Sequence, residues 1–139
     1  MRRYLRSKLL VVAFAGTALL ATLGGSVPAS AHEFEASRTI TIHRRPRGVV
    51  DPGTRVRFFG RIISDRHSCE NFELVELIRV GRGVVARDIS DSEGNYSMRK
   101  RVFRTGRYFS RVITTISGRH PHRHVCLAAQ SRTIRVRVD

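Results

Sequence analysis

Four histidines are the first candidates for chemistry in this 139-residue chain. His120, His122 and His124 alternate in His-Pro-His-Arg-His, and His67 lies two residues before Cys69. Imidazoles gathered in one loop are ligands for Zn²⁺ or Cu²⁺. The 120–124 segment holds no carboxylate, and Arg119 and Arg123 add positive charge to it. The expectation is therefore a solvated polar loop, with no metal and no cofactor assigned. Asp88, Asp91 and Glu93 raise a calcium reading. An EF-hand loop needs a glutamate at its twelfth position, and counting from Asp91 gives Val102. Asp-Ser-Glu-Gly-Asn at 91–95 reads instead as a hairpin turn.

Nothing in the chain assembles a catalytic site. It has no Gly-x-Ser-x-Gly elbow, no His-Glu-x-x-His pair and no phosphate loop. Cys69 and Cys126 are the only cysteines. An even, minimal count in an exported domain predicts one disulfide, which removes a thiol nucleophile. In the chain-entropy account, closing this 57-residue separation contributes about 4 kcal/mol. No enzyme activity is expected.

The elements that position these residues follow an export signal. Arg2, Arg3, Arg6 and Lys8 form a basic start, residues 9–23 an apolar run, and Ala29-Ser30-Ala31 a small-x-small cleavage site. The run is shorter than the ~20 residues a membrane span requires. Residues 1–31 are thus expected to be removed, leaving 32–139 as one secreted domain without a transmembrane anchor. The chain's formal charge is +15, and the leader carries four of its 26 basic residues and none of its 11 acids. Arginine supplies nearly all the remaining positive charge, Lys100 being the one lysine after the leader. Guanidinium pairs bidentately with phosphate and carboxylate, but a GC-rich coding sequence also yields arginine in place of lysine.

Through the domain, short segments alternate with period two between turn residues. The segments are 39–43, 54–64, 72–80, 84–89, 95–103, 107–116 and 131–138, with Asp51-Pro52-Gly53, Gly81-Arg82-Gly83, the 91–95 cluster and Thr105-Gly106 as turns. Seven short strands without a helical period predict an all-β sandwich or barrel. In the third segment the favoured register points Val75 and Leu77 inward, because the other would put Glu76 in the core. Residues 117–125 read as a polar connection. Cys69 and Cys126 then fall in the second-to-third and sixth-to-seventh connections, which lie at one end of an immunoglobulin-like sandwich.

From Thr54 onward the chain resembles secreted bacterial immunoglobulin-like domains and the carboxypeptidase-regulatory-like modules of related architecture. The residues that carry the likeness are Val56-Arg-Phe-Phe-Gly60-Arg-Ile, Cys69 followed by Val75-Glu-Leu-Ile-Arg79, Asp91-Ser-Glu-Gly94-Asn-Tyr96, Tyr108 and Cys126. The resemblance implies a seven-stranded immunoglobulin-like β-sandwich with a structural or adhesive role and no catalytic site of its own. In that strand order the second and fifth strands are neighbours. Arg55, Arg57 and Arg61 on one, with Arg99 and Arg101 on the other, would form a like-charge stripe able to bind an anion. Arg111, Arg135 and Arg137 are expected on the outer face of the opposite sheet.

These readings converge on an exported, non-enzymatic structural or binding module of the cell envelope or extracellular space. Its expected partner is an anionic wall or extracellular polymer, or another envelope protein, and no specific nucleic acid. The alternative is a small secreted effector or metal-binding protein that uses the histidine segment 120–124.

Overall fold

The structure, a computed structural model, describes residues 33–120 and 122–139; the leader expected over 1–31 lies outside them. Apart from one 3₁₀ turn at His67–Cys69, the regular structure among the described residues is all strand. The strands are β1 (Phe34–Ala36), β2 (Arg38–Ile40), β3 (His43–Arg45), β4 (Val49–Val50), β5 (Thr54–Ser64), β6 (Leu74–Arg79), β7 (Gly83–Ile89), β8 (Asn95–Val102), β9 (Gly106–Val112), β10 (Thr115–Arg119), β11 (His122–Cys126), β12 (Ala129–Gln130) and β13 (Ile134–Val138). No described helix is long and apolar enough to cross a membrane.

Three sheets result. In the first, β5 is central, with β8 along one edge and β2 and β3 sharing the other. The second runs β4-β13-β9-β6-β7, and β12 also pairs with β9. The third, β1-β11-β10, is a small appendage tied on by the disulfide. The first two contribute to a single hydrophobic cluster. Val56, Phe58 and Ile62 enter it from β5, Tyr96 and Met98 from β8, Val75 and Leu77 from β6, and Tyr108 and Val112 from β9. Each fully buried apolar side chain contributes about 1.5–3 kcal/mol. On β5 the alternate residues Arg55, Arg57 and Arg61 remain exposed, which is how a period-two sequence separates core from solvent.

Gly60 shows why one inward position of β5 is empty. It stands opposite Tyr96, whose hydroxyl donates to the Thr41 carbonyl at the break between β2 and β3. A Cβ at Gly60 would collide with that carbonyl and with the tyrosine hydroxyl. Burial pushes the Tyr96 phenol up to about 12.

Several expectations are corrected. Thirteen strands replace seven among the described residues. The segment 39–43 is two strands interrupted at Thr41-Ile42, where the Thr41 carbonyl accepts from the Tyr96 hydroxyl. The segment 107–116 divides at Ile113-Thr114, where Arg38 binds the Ile113 carbonyl. The polar connection 117–125 is largely the β10–β11 hairpin, in which Ser117 pairs with His124 and Arg119 with His122. In β6, Val75 and Leu77 do face the core, both fully buried. Glu76 is buried as well, although it points to the other side.

Candidate anion-binding face

The outer surface of the first sheet is built by register. Along β5 and β8, Arg55 stands directly opposite Arg101 and Arg57 opposite Arg99, while Arg61 faces Asn95. All five arginines are exposed. On the other side of β5, β3 sets Arg45 opposite Arg57 and His43 opposite Phe59. Arg45, Arg57 and Arg99 therefore form one row across three strands, with their backbones within about 10 Å at ordinary strand spacing. The sequence reading missed Arg45 because it ended the first strand at His43.

Phe59 organises part of this row. The Arg57 guanidinium lies 5.3 Å from its ring centroid and that of Arg45 5.9 Å, and the His43 ring packs 5.6 Å away. Cation–π interactions of this kind hold a guanidinium without neutralising it. The remaining restraints are neutral too. Arg57 Nε donates to Ser97 Oγ at 2.6 Å, Arg61 Nε to the Glu93 carbonyl at 2.8 Å and Arg101 Nη1 to the Gly53 carbonyl at 3.3 Å. Among the described residues, none of these six arginines is in an ion pair; the pairs that form involve Arg38, His67, Arg87 and Arg111.

The opposite sheet solves the same problem differently. Glu76 Oε1 lies 3.1 Å from Arg87 Nε, and Oε2 lies 2.9 Å from Arg111 Nη2. Its carboxyl is held below the ordinary range by the Arg111 hydrogen bond first, with burial opposing and Arg87 assisting. Arg111 is thus committed to a buried carboxylate and is not a free surface charge like Arg137. Arg135 faces Arg107 across β13 and β9, a single like-charge pair rather than a row.

The other candidate residues are dispersed. Cys69 and Cys126 are bonded, with their α-carbons 5.5 Å apart. Cys69 ends the 3₁₀ turn as expected of a connection, whereas Cys126 ends β11. His122 and His124 lie on a strand rather than in a loop. His124 stacks on Phe34 with centroids 4.1 Å apart, and His67 Nδ1 meets Glu70 Oε2 at 3.3 Å. No three His, Cys, Asp or Glu side chains among the described residues are grouped to hold a metal ion. The Asp91 carboxylate accepts from the backbone N–H groups of Glu93 and Asn95, both at 2.9 Å. Those bonds, Asn95 first, lower its pKa and close the β7–β8 turn.

A buried ion pair went unforeseen. The Arg38 side chain, wholly removed from solvent, meets Glu73 Oε2 at 3.1 Å. It also donates to the carbonyls of Leu127 (2.6 Å), Ile113 and Cys126 (3.1 Å). The signal was present in the alternation: Ala36, Arg38 and Ile40 are all buried on one face, and Glu73 shares the phase of Val75 and Leu77. Compared with known proteins, the chain matches no family model and no curated protein sequence.

Proposed function

We propose that this is an exported, non-enzymatic immunoglobulin-like module that binds an anionic polymer of the cell envelope or extracellular space through the outer face of β3, β5 and β8. The row Arg45–Arg57–Arg99, continued by Arg55 opposite Arg101, carries this reading. Like charges directly opposite across strands destabilise a sheet, and an anion laid over the row removes that cost. On the other sheet Arg87 and Arg111 each stand opposite the buried Glu76, which pairs with both. The immunoglobulin-like reading is supported by β5 beside β8 in one sheet, the order β13-β9-β6 in the other, and a common core between them. Export is supported by the signal-like leader, and the disulfide is compatible with an oxidising compartment.

The test compares two triple variants for binding to polyphosphate and to polyuronate across a salt series. Arg57→Gln, Arg61→Gln and Arg99→Gln together are expected to weaken binding. They should also reduce the slope of log affinity against log salt by roughly one for each arginine–anion pair removed. Arg107→Gln, Arg135→Gln and Arg137→Gln, all on the second sheet, serve as the control, since Arg111 is tied to Glu76. Equal effects in the two variants would mean that the charge acts globally and that this face is not a site.

A further inference from the structure

The end of the domain where β5 begins, remote from the disulfide beyond the end of β5, carries a second concentration of charge with a different character. A cleft of about 410 Å³ opens there between the β6–β7 turn and the end of β8. Arg79, Arg82, Lys100, Arg101 and Arg104 line it, and no acidic residue does. Its remaining walls are apolar, with Tyr108 inside and Phe103 at the mouth. Arg79 is fixed in place, its guanidinium 5.9 Å from the Tyr108 ring centroid and its Nη2 donating to the Thr105 carbonyl at 3.2 Å.

Apolar side chains are exposed at several places in the domain, and two of them lie beside these charges. Phe103 is 64% exposed and Val80 41% exposed, at the tips of two neighbouring turns. A cluster of arginines alone is explained by solvation, and a soluble anion would leave both apolar tips in water. Basic side chains beside exposed apolar tips, Arg104 next to Phe103 and Arg79 next to Val80, match the boundary between lipid headgroups and acyl chains, where aromatic rings and arginine are both favourably placed. We propose that this end is a peripheral membrane-contact site: the cleft receives the phosphate of an anionic lipid headgroup while Phe103 and Val80 enter the interface. The site goes beyond the polymer-binding face, with which it shares only Arg101.

Vesicle flotation tests it, using phosphatidylcholine with and without a minor fraction of phosphatidylglycerol. Binding is expected only to the anionic vesicles. Phe103→Ala should weaken it about tenfold, because less apolar surface leaves water. Arg82→Gln and Arg104→Gln should weaken it about fivefold each, the contribution of one basic residue near an anionic surface. The exposed position of Phe103 makes its replacement compatible with folding, which a melting curve checks. The chain has no tryptophan, so Phe103→Trp supplies a single emission band expected to shift to the blue on anionic vesicles. Undiminished vesicle binding by Phe103→Ala, equal binding to neutral vesicles, or binding of soluble glycerol phosphate without vesicle binding would each overturn the proposal. None of these variants touches Arg57, Arg61 or Arg99, so the outcome is independent of the polymer experiment.

Discussion

Arg38 and Glu73 form an ion pair in which the arginine side chain is sealed from solvent. The pair joins β2 to the segment leading into β6, and the three carbonyls that Arg38 binds extend the tie to the ends of β9 and β11. Removing one partner of a buried pair leaves an uncompensated charge or several unpaired acceptors, at a cost of about 3–5 kcal/mol. Arg38→Met should therefore lower the urea midpoint sharply. Arg38→Lys should rescue little, because one ammonium cannot reproduce the planar fork. A lysine variant as stable as the parent would show that only the charge matters.

The disulfide should govern whether the appendage stays folded. Cys69 and Cys126 bury with Ala36 and Phe34 in a small second cluster that no larger core supports. The native protein is expected to resist alkylation and to gain the mass of two alkyl groups only after reduction. Cys69→Ala with Cys126→Ala should cost about 4 kcal/mol in the chain-entropy account, measured by denaturant titration against the oxidised parent.

Acid should weaken the second sheet through Glu76. Its folded pKa lies below the ordinary 4.5, through hydrogen bonds from Arg111 and then Arg87. A depressed pKa means that the folded state binds fewer protons than the unfolded chain. The stabilisation is then complete above the unfolded value and is lost as pH falls through the folded one. The parent should lose stability below about pH 4.5. Glu76→Gln should be less stable at neutral pH and should show a flatter acid limb in melting temperature against pH. An acid limb identical to the parent's would remove Glu76 as a contributor.

Gly60 and Tyr96 should behave as one unit. Tyr96→Phe removes the donor to the Thr41 carbonyl and is expected to cost about 0.5–1.5 kcal/mol. Gly60→Ala must displace the Thr41 backbone and should cost more. Combining it with Tyr96→Phe relieves only the clash with the hydroxyl, so most of the destabilisation should persist in a double-mutant cycle.

How much of this was legible beforehand depends on the range of each interaction. Alternation along a strand is local. The core face of β5, the burial of Val75 and Leu77 and the turn at Asp91–Asn95 could all be read from adjacent residues. The two cysteines, with no others in the chain, left one intramolecular pairing to consider. Non-local facts were not legible in the same way. Glu76 points away from the core yet is buried, because Arg87 and Arg111 arrive from two other strands to cover it. Arg45 joins the arginine row only because β3 pairs with β5 in a register that sets it opposite Arg57. The histidines read as a loop because Gly, Pro and charged residues dominate their segment, but pairing across the hairpin makes His122 and His124 part of a strand. The cationic cleft is assembled from residues about 20 apart in sequence, Arg79 and Arg82 with Lys100 and Arg104. Local chemistry thus determined which faces are apolar and which are charged. Strand register and sheet packing, which sum weak interactions over the whole domain, decided which charges meet a partner and which are left to attract one.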